Sequence, residues 1–438
     1  MKIIVIGAGP AGYTCAISLA QKGAEVTIVE FKNVGGVCLN EGCIPTKSLL
    51  HQTKHYDSAD WAKVQEKKQG VVGLLTGGVE SLLQMNNVTL VKGNAKFVDA
   101  STVEVNGQTL TFDKAVIATG SVPAMPEFAK GNRNCIDSTE ALAMTKLPKS
   151  MCIIGGGVIG CEMATVLNNA GVKVTIVEAA DDILLGFERK HVNLLKKNMQ
   201  KRGIEIHTSA MVTAVRDSGF TRSVAYEEND GNKTCACDKI LVAVGRKANV
   251  EGLNLEAAGV NLDKGIIQVD NNCKTTTDNI YAIGDCASNI KLAYWGSTQA
   301  KKLAKHLMKD EAVVMPESIP SCVFTHPEIA KVGYTEAELT GNNIKCAEFP
   351  FSANGKAHCI EEGEGYVKLI IDADSKELLG GHIVGPMATE LIGILIPLVM
   401  NHCNISLLAN SVFAHPTLSE AIAEAADILL GESINFKS

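Results

Sequence analysis

Two cysteines open the chemistry of this chain: Cys38 and Cys43, in Gly35-Gly36-Val37-Cys38-Leu39-Asn40-Glu41-Gly42-Cys43-Ile44-Pro45-Thr46-Lys47. Five residues of straight α-helix rise about 7.5 Å, beyond the roughly 4.4–6.8 Å Cα separation that a disulfide tolerates. A bridged pair would therefore not share one regular helix. Gly42 can relax the backbone and Pro45 suits a first helical turn, so Cys43 is expected at a helix start with Cys38 in an irregular segment before it. There the helix dipole favours a Cys43 thiolate. Two unrelated buried thiols is the other reading of the same spacing. Near the far end, Ala414-His415-Pro416-Thr417-Leu418-Ser419-Glu420-Ala421 places an imidazole five residues before a carboxylate. Such a pair can do acid/base work near neutral pH. It also has structural uses: Thr417-x-x-Glu420 spells a capping box, and His415 before a proline is pushed to extended geometry ahead of a helix. For His326, also followed by proline, no catalytic role is assigned.

A long internal echo supplies the elements that would position these groups. Ile3 to Gly12 reads IIVIGAGPAG and Val26 to Glu30 reads VTIVE; Ile153 to Gly160 reads IIGGGVIG and Val174 to Glu178 again reads VTIVE, at a constant offset of 148 residues. Each unit predicts strand, glycine turn, helix and strand, the Gly-x-Gly-x-x-Gly fingerprint of dinucleotide binding. Gly7 and Gly155 serve the tight turn, Gly9 and Gly157 let a pyrophosphate approach, and Gly12 and Gly160 let the helix pack on its strand. Glu30 and Glu178 each follow the third glycine by 18 residues, where an acid accepts hydrogen bonds from a ribose 2′-hydroxyl. After Glu178 come Ala179, Ala180, Asp181 and Asp182. With no nearby arginine for a 2′-phosphate and two acids to repel it, NAD is expected over NADP.

The 438 residues leave room for roughly three domains of about 150 residues. With 46% hydrophobic and 20% charged residues, the chain reads as globular and soluble rather than disordered or fibrous. A formal charge of −7 argues against general affinity for nucleic acid or anionic membrane. The strongest apolar run, Leu391 to Met400, has 10 residues with Gly393 and Pro397 inside it, far short of the roughly 18 a membrane span needs. Glycines at 7, 9 and 12 interrupt the amino-terminal apolar run, so a mature cytoplasmic start is expected rather than a secretory signal. Fourteen cysteines scattered without a framework suit a reducing compartment.

The chain resembles the pyridine-nucleotide disulfide oxidoreductase family, and within it the dihydrolipoamide dehydrogenases, over nearly its whole length. GGVCLNEGCIPTK at 35–47 and AHPTLSEA at 414–421 are the most specific pieces; THPEIAKVG at 325–333 and LGGHIVGP at 379–386 resemble the family's dimer-interface domain. The resemblance implies an α/β fold with two Rossmann-like domains, FAD in the first and NAD in the second, and an α+β carboxy-terminal dimerisation domain. The expected boundaries are 1–121 for the first part of the FAD domain, 122–243 for the NAD domain, 244–315 for a central domain completing the FAD site, and 316–438 for the interface. Stretches ending in Ala118-Thr119-Gly120 and Val244-Gly245-Arg246 look like the crossovers between domains, and Ile280 to Asp285 resembles the strand end whose aspartate binds the flavin ribitol.

By the same likeness Cys38 and Cys43 would be a redox-active pair, Cys38 exchanging with substrate and Cys43 lying against the flavin. Lys47 and Glu162 would form an ion pair near flavin and nicotinamide. His415 would be the acid/base and Glu420 its orienting carboxylate. Gly7, Gly9, Gly12, Glu30, Gly36, Lys47, Ala95, Thr119, Gly120, Asp285 and Ala293 would hold FAD, and Gly155, Gly157, Gly160, Glu178 and Gly245 would hold NAD; no metal is implied. The implied reaction oxidises a dihydrolipoyl group, free or on a carrier protein, in a homodimer whose active site takes cysteines from one chain and His415 from the other. The alternatives are NADH-dependent reduction of another disulfide and a non-catalytic flavin-binding subunit. Mercuric reductases carry a further carboxy-terminal cysteine pair, whereas the last cysteine here is Cys403; glutathione reductases match the two key motifs less closely. Two departures stand out. The segment between Lys47 and Gly77 is short, and Tyr294 and Trp295 follow Ala293 where a histidine is usual; these aromatics are read as either interior packing or channel lining. The nucleotide fold beginning at Lys2 leaves no amino-terminal lipoyl domain in the sequence.

Overall fold

The computed structural model describes residues 1–55, 60–217, 222–228, 231–309 and 311–436. The chain groups into two compact units, Met1–Leu147 with Leu241–Met315, and Pro148–Ile240 with Pro316–Ser438. The first is built on a five-stranded sheet in the order Ile280–Ala282, Lys114–Ile117, Lys2–Ile6, Glu25–Glu30, Thr89–Lys92. Every neighbouring pair is parallel, and the strands read as near-continuous β-branched runs because both faces are covered. Helix Pro10–Ala20 packs against helix Ala293–Lys309, and a Cβ on Gly296 would lie 3.0 Å from that of Ala11, so glycine sets how closely the helices approach. A three-stranded antiparallel sheet, Ala95–Asp99, Thr102–Val105 and Gln108–Thr111, covers the other side of the core.

Residues 122–147, placed in the nucleotide domain on sequence grounds, pack within this first unit. Trp61 Nε1 donates to the Met144 carbonyl at 2.8 Å and Lys68 Nζ to that of Leu142 at 2.8 Å, both from helix Trp61–Met85. The short connection after Lys47 includes residues 56–59, which lie outside the described residues.

In the second unit the strands Glu205–His207, Lys173–Val177, Ser150–Ile154 and Lys239–Val242 lie side by side in that order, with a three-stranded antiparallel sheet, Met211–Asp217, Arg222–Glu228 and Gly231–Cys237, beside them. Its carboxy-terminal part is a five-stranded antiparallel sheet ordered Ser321–Val323, Glu328–Gly333, Leu378–Gly385, Tyr366–Asp372, Ile344–Pro350. Helices Ala388–Met400 and Glu420–Leu430 bury their apolar sides on it.

This unit also buries charge. Lys368, 5% exposed, reaches Glu188 at 3.0 Å and Glu336 at 2.5 Å. Nearby, His191 and His382 are fully buried, their rings 6.1 Å apart. His382 Nε2 donates to the Tyr334 carbonyl at 2.8 Å, while His191 has no hydrogen-bond partner among the described residues. Burial pushes His191 well below its usual range and His382 down to about 4. Both rings are therefore neutral in the folded protein, and the unfolded chain takes up protons first. Stability should be intact above about pH 6.5 and fall as pH drops towards 4, by on the order of 3 kcal/mol for His382. Urea midpoints across this range should show the slope, and His382→Gln should flatten it. An unchanged slope in the variant would remove His382 as its source.

Candidate active site

The cysteine segment is two helices broken at a glycine. Gly35 and Gly36 have φ of 91° and 60°, a left-handed entry that suits glycine, and lead into helix Gly36–Glu41; Gly42 leaves helical geometry, and Cys43 begins helix Cys43–His55. Cys38 thus lies inside a short helix, where an irregular segment was expected. The left-handed glycine pair starts that helix without a side-chain cap, which cap-based reading of the sequence does not detect. Asn40 holds the turn, its Nδ2 donating to the carbonyls of Val34 and Gly36 at 2.9 Å each, and Thr76 Oγ1 donates to Asn40 Oδ1 at 3.1 Å. Cys38 is half-buried and Cys43 exposed. A hydrogen bond with Cys43 and then burial push the Cys38 thiol up, while the Lys47 ammonium works in the opposite direction. The two thiols form a near pair that fits a redox-active disulfide.

This segment sits directly on the first glycine turn: a Cβ on Gly36 would come 2.5 Å from the Gly9 Cα. The turn at 7–12 and its counterpart at 155–160 are near copies. Gly7 and Gly155 have φ of 102° and 109°, and a Cβ on Gly12 or Gly160 would strike the carbonyl of Gly7 or Gly155 at 1.8 or 2.0 Å. The middle glycines differ in kind. A Cβ on Gly157 would meet nothing within 4 Å, and one on Gly9 only the Gly36 Cα at 3.9 Å, so each faces open space of the sort a pyrophosphate fills. Helices Pro10–Ala20 and Val158–Asn169 begin there with no side-chain cap, leaving their first N–H groups for an anion.

The acids repeat as well. Glu30 accepts from the N–H of Ala8 and Lys32 at 2.7 Å each; Glu178 accepts from Gly156 at 2.5 Å and Ala180 at 2.7 Å. Spare lone pairs on each carboxylate suit a ribose hydroxyl. The residues present therefore fit two dinucleotides. One detail of the charge argument changes. Asp182, expected to repel a 2′-phosphate, is paired with Arg189 at 3.0 Å and Lys196 at 3.0 Å, which leaves Glu178 and Asp181 as the discriminating acids. Glu178→Ala should weaken NAD binding by roughly 1.5–3 kcal/mol, about 10- to 150-fold. Because Glu30 is untouched, FAD content should stay at wild-type level, and a calorimetric titration with NAD checks the assignment.

Asp285 accepts from Ser121 Oγ at 2.5 Å, and Arg246 Nε donates to that same hydroxyl at 2.7 Å. Burial pulls Arg246 down, opposed by the negative potential of Asp285, Cys43, Asp137 and Glu41. Arg246 therefore links the aspartate electrostatically to the cysteine segment. Sequence reasoning assigned no role to Ser121 or Arg246; the strand pairing of Ser121–Pro123 with Arg246–Ala248 brings them together across 125 residues. Thr119 Oγ1 donates to the Asn249 carbonyl at 2.6 Å, and Gly120 and Gly245 turn with positive φ on either side of that ladder. Ala95 is buried in the core, so it can reach a cofactor only through its backbone. Ala293 begins its helix with Tyr294 exposed and Trp295 buried, so the interior reading holds for Trp295 alone.

In the second unit His415 Nδ1 and Glu420 Oε1 are 2.9 Å apart, with His415 79% exposed and Glu420 27%. The other carboxylate oxygen accepts from Thr417 N at 2.7 Å. Burial raises the Glu420 carboxyl, but the Thr417 N–H and the His415 ring outweigh it and hold it below its usual range. Only half of the expected capping box forms: the Thr417 hydroxyl instead donates to the Ala414 carbonyl at 2.7 Å, and helix Glu420–Leu430 starts without a side-chain cap. Glu162 is buried in helix Val158–Asn169, where one carboxylate oxygen accepts from Phe324 N at 3.0 Å. Lys47 lies one turn beyond Cys43 on its helix. Among the described residues no cluster suits a metal ion, and no helix is long and apolar enough to cross a membrane.

A cysteine pair beside one of two dinucleotide turns, with a carboxylate-held imidazole on a separate sheet domain, is the layout of a flavoprotein disulfide oxidoreductase. The chain belongs to the pyridine nucleotide-disulphide oxidoreductase family: that family's profile matches residues 1–300, and its dimerisation domain matches residues 319–426. It is 43% identical to a dihydrolipoyl dehydrogenase of Geobacillus stearothermophilus, covering 99% of this chain and 97% of the relative, and 41% identical to one of Bacillus subtilis with the same coverage. Among solved structures it resembles the HOCl-induced flavoprotein disulfide reductase RclA from Escherichia coli, at 29% identity and a TM-score of 0.92 over 98% of this chain and 100% of that one. LpdA from Mycobacterium tuberculosis, at 24% identity and a TM-score of 0.91 over 98% and 99% of the two chains, shares the fold. The protein is thus an FAD- and NAD-dependent oxidoreductase that forms a homodimer.

Proposed function

We propose that this enzyme oxidises dihydrolipoyl groups, free or on a carrier protein, with NAD⁺ as final acceptor. The observation that carries this reading is the Cys38–Cys43 dithiol set on the Gly9 turn, in a chain whose relatives at 41–43% identity are dihydrolipoyl dehydrogenases. With Glu420 accepting from Nδ1–H, His415 keeps the Nε2 lone pair free to take a substrate thiol proton. The substrate thiolate attacks the Cys38 sulfur of an oxidised Cys38–Cys43 pair, the S–S bond breaks, and Cys43 leaves as thiolate. The second substrate thiol gives up its proton and displaces Cys38, so substrate leaves as a disulfide and the protein keeps two electrons as its dithiol. FAD, when bound, carries those two electrons on to NAD⁺.

In this reading Gly7, Gly9, Gly12, Glu30, Gly36, Lys47, Ala95, Thr119, Gly120, Asp285 and Ala293 serve FAD, and Gly155, Gly157, Gly160, Glu178 and Gly245 serve NAD. Lys47 and Glu162 pair beside flavin and nicotinamide. The functional domains follow the boundaries 1–121, 122–243, 244–315 and 316–438, except that residues 122–147 group with the first of them, and His415 with Glu420 completes the site of the opposite protomer. Fourteen cysteines scattered without a framework favour a reducing cytoplasm as its setting. NADH formation from dihydrolipoamide, set against NADH oxidation by a panel of disulfides, tests the assignment. Turnover confined to a different disulfide would transfer the substrate to that compound, and no turnover on any would leave a flavin-binding subunit.

A further inference from the structure

Just past strand Ile280–Ala282 the chain turns at Gly284, with φ of 72°, and Asp285 follows. The backbone here is fixed on both sides: the Gly284 N–H donates to Gln299 Oε1 at 2.8 Å, and Lys291 Nζ donates to the Asp285 carbonyl at 3.0 Å. The carboxylate is held by a separate device. Among the described residues its one hydrogen-bond partner is the Ser121 hydroxyl, which donates to Oδ2 at 2.5 Å. The other oxygen keeps its lone pairs for a donor that the protein itself does not supply.

Arg246 decides where the serine proton goes. On the antiparallel pair, Arg246 lies opposite Pro123 and Ala248 opposite Ser121, so Arg246 and Ser121 share a face as diagonal neighbours. The guanidinium crosses that diagonal and grips the serine twice, Nε donating to its hydroxyl at 2.7 Å and Nη2 to its carbonyl at 2.6 Å. A serine hydroxyl has a single proton. With a charged donor already on its oxygen, that proton points at Asp285, and the same charge polarises the O–H into a stronger donor. Ser121 is only 4% exposed, which keeps water from competing for the hydroxyl.

We propose, on the reading of Asp285 as an FAD contact, that Arg246 and Ser121 are positioning residues for that cofactor. The three side chains form a relay, Arg246 to Ser121 to Asp285, that occupies one carboxylate oxygen and presents the other to a hydroxyl on the flavin half of FAD. Without the relay the carboxylate turns freely about its own side-chain bonds, and fixing it at the moment of binding costs conformational entropy. Retention of FAD therefore depends on a guanidinium that itself meets the aspartate only through a serine.

The test is the rate at which FAD leaves the loaded enzyme after dilution, read as flavin remaining on the protein at successive times and independent of turnover. Ser121→Ala keeps the carbonyl that Arg246 Nη2 holds and the strand pairing around it, yet breaks the link to Asp285, so FAD should leave about tenfold faster. Ser121→Thr restores a hydroxyl and should bring the rate back towards wild type. Arg246→Met should also speed release, and the double variant Ser121→Ala/Arg246→Met should lose FAD no faster than the faster of the two single variants, because one relay is broken only once. A brace that merely tied the two strands together would give additive effects and no rescue by threonine. Release from Ser121→Ala at the wild-type rate, or additive effects in the double variant, overturns the proposal. Asp285→Asn separates the reading beneath it: if that variant alone releases FAD faster, the aspartate contact stands and the relay falls, whereas wild-type retention there removes the contact and the relay together.

Discussion

Cys38→Ser should lower NADH formation from dihydrolipoamide by on the order of 10³-fold or more, because without the Cys38 sulfur no Cys38–Cys43 disulfide exists for the substrate thiolate to attack. Cys38 is half-buried in a short helix anchored by Asn40, and serine replaces sulfur with a smaller polar atom without disturbing either flanking glycine turn. FAD content, the thermal midpoint and NADH oxidation by an artificial electron acceptor, which needs both dinucleotides but no thiol exchange, should therefore be close to wild type. Dithiol turnover surviving in a flavin-loaded variant would falsify the exchange chemistry outright. Loss of the artificial-acceptor activity as well would instead show that the substitution had damaged the nucleotide site.

His415→Ala should cost about 10²- to 10⁴-fold in kcat with dihydrolipoamide, the usual contribution of a positioned acid/base. The ring is mostly exposed, so its removal should leave stability nearly unchanged. Glu420→Gln should fall between wild type and His415→Ala, since the amide weakens the hold on Nδ1 without removing the base. The proposed two-chain site gives a sharper outcome. A mixed dimer of one Cys38→Ser chain and one His415→Ala chain should recover roughly half of wild-type activity, because crossing the interface concentrates both defects in one site and leaves the other whole. If cysteine and histidine act within one chain, each site keeps one defect and the mixed dimer stays near zero.

The parts of this protein that were legible in its sequence are those where single residues answer to stereochemistry. Gly7 and Gly155 occupy positive φ, and Gly12 and Gly160 sit where any Cβ would strike a carbonyl, so the turns and their helices follow from residue type alone. Cys43 at a helix start follows from Gly42 and Pro45. The helix around Cys38 was not legible, because Gly35 and Gly36 start it through backbone conformation instead of a capping side chain. Ser121 and Arg246 went unnoticed because their meeting depends on a strand pairing across 125 residues. Charge was misjudged at Asp182 for a related reason: Arg189, seven residues on, folds back onto it.

The near-identity of the two ribose clamps bears on how the chain sorts its cofactors. FAD and NAD share an adenosine diphosphate half, and Glu30 and Glu178 each hold backbone amides at the same two sequence offsets, 22 residues back and two forward. That half cannot tell one pocket from the other. Sorting must fall to whatever lies past the pyrophosphate, and there the resemblance between the turns ends: Gly36 closes against Gly9 in the first, whereas nothing lies within 4 Å of a Cβ at Gly157 in the second. The first pocket thus differs from the second in carrying the cysteine segment packed on its glycine turn.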